Sequence, residues 1–269
     1  MTGTFLLQYE LFEPLGMGGI GTVYRARDHR FHRDVAIKIL NGRFADNAAR
    51  ARFPEESRIL SRLRHENIAA FIEFASDRNT DFLVMEYVRG LTLARILARG
   101  PLDESEAIRA ATQLANALEE AHRRGVFHSD LKPSNVIVTA DFRVKLLDFG
   151  HANLIESARR AWSSGRVGRL ATLPYLAPET LLDGTVDCRS DVYGLGMLLF
   201  EMTTGCRPYP ETSRSELAAA IVHLDPVFPD DVAGKLSAPF RRAVLKALAK
   251  SPARRYTSIS RFAKALSRR

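Results

Sequence analysis

The pattern of hydrophobic residues changes once along this 269-residue chain, and that change constrains the fold more than any other feature. Up to about residue 87, short β-branched or aromatic segments are bounded by turn residues, which predicts strands. One helix is predicted to interrupt them near Pro54–Arg64, because proline is tolerated in the first turn of a helix. The predicted strands are Tyr9–Leu15, Thr22–Arg27, Val35–Leu40, Ile68–Ala75 and Phe82–Tyr87.

The second part of the chain has helical spacing instead. Asp103 and Glu106 predict a capping box, and apolar residues then recur at helical spacing as far as Gly125. Further helices are predicted over Ser190–Thr204 and near Ile259–Ser267. A strand-rich front and a helix-rich back predict an α+β protein in two lobes.

Composition argues against several classes of protein. The formal net charge is +8, but the arginines are spread along the chain without aromatic interleaving, so no nucleic-acid partner is expected and a solvated surface is favoured. Cys188 and Cys206 have no metal-binding spacing and form no disulfide framework. The longest apolar stretch, around Leu195–Phe200, is too short to span a bilayer, and the N-terminus lacks the order of a signal peptide. We therefore expect a cytoplasmic protein without a membrane span.

A glycine-rich segment, residues 16–21, is the first candidate for chemistry. Glycines let backbone N–H groups approach phosphates without obstruction by side chains. The following segment, Thr22–Arg27, is predicted to be a strand, so the glycines would form the turn of a β-hairpin, whereas a dinucleotide-binding turn would lead into a helix. An ordinary flexible hairpin is the alternative.

Lys38 lies inside the apolar strand predicted over Val35–Leu40, in the sequence Val35-Ala36-Ile37-Lys38. Burying an unpaired ammonium is costly, so this lysine needs an anionic partner. Phosphate oxygens would serve, as would Glu55 or Glu56 in the predicted helix. The alternative is a lysine whose head group reaches solvent from an edge strand.

Three polar residues in the second half of the chain have a spacing in sequence that points to chemistry. Asp130 and Asn135 are five residues apart, and Asp148 follows Asn135 by thirteen. A hairpin of Val136–Val138 and Val144–Leu147 would return Asp148 beside Asn135. Hard oxygen ligands suit Mg²⁺ held largely through nucleotide phosphates, which leaves Asp130 to face an incoming hydroxyl. A set of solvated loop acids is the alternative.

In this order, and followed by Ala177-Pro178-Glu179, these motifs resemble the eukaryotic-type (Hanks-type) protein kinases, most of all their soluble bacterial serine/threonine members. The resemblance runs from about Tyr9 to Leu266. It implies transfer of the γ-phosphate of ATP to serine or threonine hydroxyls of protein substrates, with ATP and Mg²⁺, or Mn²⁺ in its place, as cofactors. It also implies one kinase domain over residues 1–269, with an N-lobe over about 1–87, a hinge over about 86–90 and a C-lobe over about 91–269.

The same resemblance assigns roles to individual residues. Asp130 would be the catalytic base, Lys132 would steady the transferring phosphate, and Asn135 and Asp148 would hold the metal. Lys38 would hold the α- and β-phosphates and pair with Glu56. Met85 matches the gatekeeper, backbone groups of Glu86 and Val88 would bind adenine, and apolar side chains would sandwich it. The implied nucleotide-binding positions are Leu15, Gly16, Gly18, Gly19, Gly21, Val23, Ala36, Lys38, Glu56, Met85, Glu86, Val88, Ile137 and Asp148.

Two supporting contacts and one departure also follow from the resemblance. Glu179 should pair with Arg255, and Asp191 should brace the catalytic loop. Ser129 stands where the family carries an arginine that binds the activation-loop phosphate, so we expect activity not to depend on that phosphate. Two alternatives stay open: a pseudokinase that acts as an ATP-binding interaction module, which degenerate lysine or metal positions would indicate, and a small-molecule kinase, which would lack Ala177–Glu179.

Overall fold

The computed structural model describes residues 2–18, 21–40, 60–149, 173–210 and 213–267. The chain divides into two compact units, Met1–Arg89 and Gly90–Arg269. The first unit contains a six-stranded antiparallel sheet in the order β1-β2-β3-β4-β6-β5. Its strands are β1 (Phe5–Leu6), β2 (Tyr9–Gly18), β3 (Gly21–Asp28), β4 (Arg33–Leu40), β5 (Phe71–Asp77) and β6 (Thr80–Glu86).

The two faces of this sheet differ in chemistry because side chains alternate along each strand. One face is the core of the unit, where the buried residues include Leu11, Ala26, Val35, Ile37, Phe82 and Val84. Residues directly opposite one another on neighbouring strands share a face. Val23 is opposite Lys38, and Ala36 is opposite Met85, so these four side chains lie together on the second face.

The second unit is mainly helical. A small sheet joins β7 (Leu91–Thr92), β8 (Val136–Val138) and β9 (Val144–Leu146). Short 3₁₀ turns cover Pro133–Asn135, Leu173–Tyr175 and Pro252–Arg254. The helices are α1 (Leu93–Leu97), α2 (Glu104–His122), α3 (Pro178–Leu182), α4 (Cys188–Thr204), α5 (Arg214–His223), α6 (Asp230–Ala233), α7 (Ala238–Ala247) and α8 (Ile259–Leu266).

Helix α4 is the centre of the second unit. Almost all of its residues from Ser190 onward are buried, and α2, α7 and α8 pack against it. A helix that is hydrophobic on all sides has to be enclosed in this way. It ends at Gly205, whose φ of 72° is the left-handed conformation that glycine adopts without strain.

Most of the predicted elements are confirmed. The capping box of Asp103 and Glu106 is present, and the two later helices lie within two residues of their predicted bounds. The strand predicted at Ile68–Ala75 is wrong by three residues at its start, since β5 begins at Phe71. Most of the helix predicted near Pro54–Arg64 lies outside the described residues, and beyond Leu60 the described chain turns. None of the described helices is long and apolar enough to cross a membrane.

Candidate active site

Lys38 lies on the second face of the N-terminal sheet and is only 6% exposed. It is paired in register with Val23 on β3 and Leu83 on β6, so apolar strands flank it. This placement agrees with the prediction of a lysine held away from solvent. Its predicted partner Glu56 lies outside the described residues, so that ion pair stays a prediction.

The glycines of the hairpin differ in what they do. A Cβ at Gly16 would meet nothing within 4 Å, and one at Gly18 only the Gly21 carbonyl at 3.9 Å, so both leave open space beside the backbone. Gly21 is different, because a Cβ there would lie 1.9 Å from the Ile39 carbonyl oxygen. Gly21 is therefore required by the close approach of β3 to β4, whereas Gly16 and Gly18 leave room for a ligand. Gly19 lies outside the described residues.

Glu86, at the end of β6, is predicted to contact adenine through its backbone, but part of it is already hydrogen-bonded to Ala70. Its N–H donates to the Ala70 carbonyl at 2.8 Å, and its side chain accepts from the Ala70 N–H at 3.0 Å. The Glu86 N–H and side chain are therefore both engaged with Ala70 within this unit. The other predicted adenine contacts of this unit range from buried to exposed: Ala36 and Val88 are buried, Val23 and Met85 half-buried, and Leu15 exposed.

In the C-terminal unit, Asp130 is the centre of a buried polar cluster. The Lys132 ammonium donates to Asp130 Oδ2 at 2.7 Å. The Asn135 side-chain amide donates to the same oxygen at 3.0 Å and to the Asp130 carbonyl at 2.9 Å. Asp130 and Asn135 are each 6% exposed. The sequence spacing thus brings three of the predicted catalytic residues into direct contact.

Asp191 holds the segment before Asp130 from within helix α4. Its Oδ2 accepts from the His128 N–H at 2.9 Å, and its Oδ1 accepts from the Ser129 N–H at 2.9 Å. The His122 ring Nε2 lies 2.7 Å from Oδ2. A carboxylate that is 1% exposed is stable only with such partners, so the predicted brace is confirmed.

The hairpin of β8 and β9 places Asp148 next to Asn135 along the backbone. The Leu147 N–H donates to the Asn135 carbonyl at 2.8 Å, and the His128 ring Nε2 bonds to the Leu147 carbonyl at 2.8 Å. Asp148 itself has a φ of 58°, which few residues adopt without constraint. The predicted return of the chain by this hairpin is confirmed.

The donor set at this point fits a hard divalent cation. Because the Asn135 Nδ2 donates to Asp130, its amide oxygen is directed elsewhere, and Asp148 adds a carboxylate. Among the described residues there is no cluster of three or more His, Cys, Asp or Glu side chains suited to a metal. A cation held by only these two side chains would complete its shell with phosphate and water oxygens, which is the usual environment of Mg²⁺.

A buried ion pair between Arg255 and Glu179 holds the start of helix α3 in place. The Arg255 guanidinium binds both carboxylate oxygens of Glu179, at 2.8 and 2.7 Å, and the Ser190 hydroxyl donates to Glu179 at 2.9 Å. Arg255 also donates to the Ala249 carbonyl at 2.7 Å. The predicted pair is therefore present, in the bidentate geometry that suits arginine and carboxylate.

Sequence reasoning missed three supporting residues. His122 at the end of α2 contacts Asp191, and its position in the sequence marks it only as part of a helix. Gln113 of α2 bonds to the backbone of the β8–β9 hairpin on both sides of its turn, at Phe142 and Val144. Glu201 of α4 accepts a hydrogen bond from the Tyr175 hydroxyl at 2.6 Å. Their partners are distant in sequence, so no local pattern marks them.

A strand-rich unit with a buried lysine, followed by a helical unit with this catalytic loop, defines a protein kinase domain. Residues 9–267 match the family model described as protein kinase domain, and the chain belongs to that family. Its fold is the protein kinase fold, α+β as predicted, with a strand-rich N-terminal unit and a helical C-terminal unit.

Its similarity to individual proteins points to bacterial serine/threonine kinases. The chain is 39% identical over 256 residues to the serine/threonine-protein kinase PknB of Mycobacterium tuberculosis, covering 93% of this chain and 41% of that protein. It is 33% identical over 270 residues to a probable serine/threonine-protein kinase of Clostridium acetobutylicum, covering 99% of this chain and 41% of the relative. Both relatives are therefore much longer than the segment that matches this chain.

The structure is similar to a crystal structure of the Mycobacterium tuberculosis PknI kinase domain. The TM-score is 0.74 at 28% sequence identity, and the match covers 99% of this chain and 97% of that one. The likeness therefore extends over nearly the whole of both chains.

Proposed function

We propose that this chain transfers the γ-phosphate of ATP to serine or threonine hydroxyls of proteins, with Asp130 as the catalytic base. The observation that carries the proposal is the buried cluster in which Lys132 and Asn135 both bond to Asp130 Oδ2. A carboxylate oriented by two donors is ready to accept a proton from an incoming hydroxyl. The names of the relatives support the choice of serine and threonine.

The proposed mechanism relies on positioning and on charge, since phosphoryl transfer needs little covalent work from the protein. Asp130 orients the acceptor hydroxyl and takes its proton. Lys132, held at 2.7 Å from Asp130, supplies positive charge near the transferring phosphate. Asp191 keeps the loop rigid by accepting from the His128 and Ser129 amides.

The nucleotide and its metal would be held by the remaining predicted residues. Asn135 and Asp148 would bind Mg²⁺ or Mn²⁺, which neutralises phosphate charge when bound. Lys38 would bind the α- and β-phosphates, and the open space at Gly16 and Gly18 would admit them. We propose that residues 1–87 act as the N-lobe, about 86–90 as the hinge and 91–269 as the C-lobe of one kinase domain.

The second candidate function is a pseudokinase that binds ATP without turnover. Degenerate lysine, base or metal positions would favour it. Lys38, Asp130, Asn135 and Asp148 are all present in the sequence, and Lys132 and Asn135 both bond to Asp130, which supports an active enzyme instead.

Mass spectrometry of the purified protein before and after incubation with ATP and Mg²⁺ tests the proposal. We expect phosphoserine or phosphothreonine on the protein or on a generic protein substrate. The Lys38→Met variant, which keeps the apolar sheet intact, should give no product. Nucleotide binding without any phosphorylated residue would favour the pseudokinase, and phosphotyrosine as the main product would contradict the proposed acceptor.

A further inference from the structure

Basic residues occur along the whole chain, but its net positive charge comes from residues 238–269. Residues 238–269 contain ten lysines and arginines and no aspartate or glutamate. Residues 1–237 contain the other 29 basic residues and all 31 acidic residues. Their formal charge is therefore −2, whereas that of residues 238–269 is +10. The excess of basic residues is therefore a property of one segment and not of the whole surface.

Five of these cations are exposed on consecutive packed elements. Helices α7 and α8 pack against each other, and the 3₁₀ turn Pro252–Arg254 lies between them in sequence. The Lys246 ammonium is 4.7 Å from the centre of the Tyr256 ring, which in turn stacks on Phe262 of α8 at 5.1 Å. We call this surface the basic face, and its residues are Arg242, Lys246, Arg254, Arg261 and Lys264.

Within the described ranges, no member of the basic face forms an ion pair. Arginines elsewhere in the same unit do: Arg124 binds Glu120, and Arg143 binds Asp141. On α2, which packs against α8, Glu104 is already bonded to the backbone and hydroxyl of Ser237, both at 2.6 Å. The charge of the basic face is therefore uncompensated by the described acids around it.

We propose that the basic face binds an acidic segment of a protein, rich in glutamate or aspartate, within the substrates of the proposed kinase. Guanidinium and carboxylate groups match in geometry, and several exposed pairs together give steering and affinity that one pair cannot. The inference rests on the proposed function, because a kinase acting on proteins meets such segments in its substrates.

The composition of the basic face favours a protein over other anionic partners. Among the described residues of α7 and α8, Leu245 is the one large apolar side chain that is exposed, at 37%. These helices therefore have little apolar surface that could enter a bilayer. Tyr256 already stacks on Phe262 and is approached by Lys246, which disfavours stacking of its ring on a nucleic-acid base.

Fluorescence anisotropy with a labelled peptide of glutamate residues, in the absence of ATP, tests the proposal. Reversing the charge at four positions of the basic face should weaken peptide binding by about tenfold or more. Each exposed ion pair contributes little, but four of them are lost together. The control reverses four exposed arginines in other places and should change affinity less than about twofold. The test variant is Arg242→Glu, Lys246→Glu, Arg261→Glu and Lys264→Glu, and the control is Arg30→Glu, Arg78→Glu, Arg95→Glu and Arg99→Glu.

A second variant guards against misfolding. If the charge-reversed protein does not melt cooperatively, glutamine at the same four positions should still weaken binding, by a smaller factor. Equal weakening by the test and control variants would overturn the proposal, as would absence of saturable binding at low salt. Tighter binding to vesicles of anionic phospholipid than to the peptide would also overturn it. Because the assay contains no ATP, its result is independent of whether the proposed phosphoryl transfer occurs.

Discussion

At the scale of single residues, substitutions of Asp130 and of Asp148 are expected to impair different steps, phosphoryl transfer and nucleotide binding. In Asp130→Asn, an amide replaces the carboxylate that accepts from Lys132 and Asn135, so transfer should slow by about 100-fold or more while nucleotide affinity is kept. In Asp148→Asn, a metal ligand loses its charge, so Mg²⁺-dependent nucleotide affinity should fall. Calorimetry with and without Mg²⁺, combined with single-turnover rates, separates the two effects. Equal losses of affinity in both variants would contradict the separate roles.

Glu201 provides a test of pH dependence. Burial raises the pKa of this carboxyl, and the hydrogen bond from Tyr175 and the charge of Arg207 act in the opposite direction. A folded-state pKa above the unfolded value means that this group stabilises the fold at low pH and that its contribution is lost as pH rises through the folded pKa. At neutral pH the wild type therefore carries the cost of a buried charge.

Glu201→Gln should remove that cost, because the Gln amide oxygen can still accept from the Tyr175 hydroxyl. The variant should have a larger free energy of unfolding than the wild type at pH 7, and the difference should vanish near pH about 4, where a carboxyl of ordinary pKa protonates. Urea melts across this range measure it, with exposed Glu66→Gln as the control. A variant that is less stable at every pH would show that the carboxylate's hydrogen bond outweighs its burial.

At the scale of elements, helix α2 anchors the hairpin that leads to Asp148. Gln113 Nε2 donates to the Phe142 carbonyl at 3.1 Å, and its Oε1 accepts from the Val144 N–H at 2.9 Å. Phe142 has a φ of 57°, and the Arg109 guanidinium lies 4.1 Å from the centre of its ring. The turn of the hairpin is thus held by side chains of a different element.

Gln113→Ala should lower the free energy of unfolding by about 1–3 kcal/mol, because two backbone groups lose their partner. It should also weaken Mg²⁺-dependent nucleotide binding severalfold, since β9 leads directly to the predicted metal ligand. Arg109→Ala, which leaves both hydrogen bonds in place, is the matched control and should have the smaller effect. Chemical denaturation and nucleotide titrations measure both. An Arg109→Ala effect as large as that of Gln113→Ala would assign the anchoring to the ring contact.

The strands that sequence alone predicts well are those in which local signals agree. Val35–Leu40 is an apolar run interrupted only by Lys38 and bounded by polar residues, and it appears within β4, Arg33–Leu40. The start of β5 was predicted too early because Ile68, an apolar residue buried outside any strand at 3% exposure, has the same sequence signal as one in a strand. The two-residue strands β1 and β7 are defined by their partners and carry no signal of their own.

The same distinction holds for the candidate site. Asp130, Lys132 and Asn135 are close in sequence, so their contact follows from a single loop and could be predicted. His122 and Asp191 are 69 residues apart, and Gln113 and Phe142 are 29 apart, so those contacts depend on how α2 packs against α4 and the hairpin. Packing of this kind is not encoded in a short pattern, which is why the supporting residues had to come from the structure.

At the scale of the whole molecule, the position of Ser129 bears on how activity is controlled. Its φ is 60°, and its N–H donates to Asp191 at 2.9 Å. Its hydroxyl is buried and has no hydrogen-bond partner among the described residues. The loop is thus held at this position through the backbone, and the short side chain offers no cation where relatives of the family are expected to carry an arginine.

We therefore expect that activity does not require a phosphate in the activation segment. A phosphate adds about −1.5 to −2 charges and orders a loop by binding arginines, but the arginine beside Asp130 is replaced by Ser129. Without that anchor, a phosphate has little differential energy with which to favour the active conformation. Arg159, Arg160, Arg166 and Arg169 belong to the same segment as the acceptors, so they cannot tie it to the catalytic loop.

The double variant Ser163→Ala with Ser164→Ala tests this expectation, since these two serines are the predicted acceptors in the segment. Its rate of transfer to a protein substrate should stay within roughly fivefold of the wild type, because the phosphate stabilises neither conformation strongly. Wild-type protein treated with phosphatase is the control and should behave in the same way. A loss of about two orders of magnitude, restored by glutamate at both positions, would show that another basic residue binds the phosphate and that Ser129 does not free the enzyme from this control.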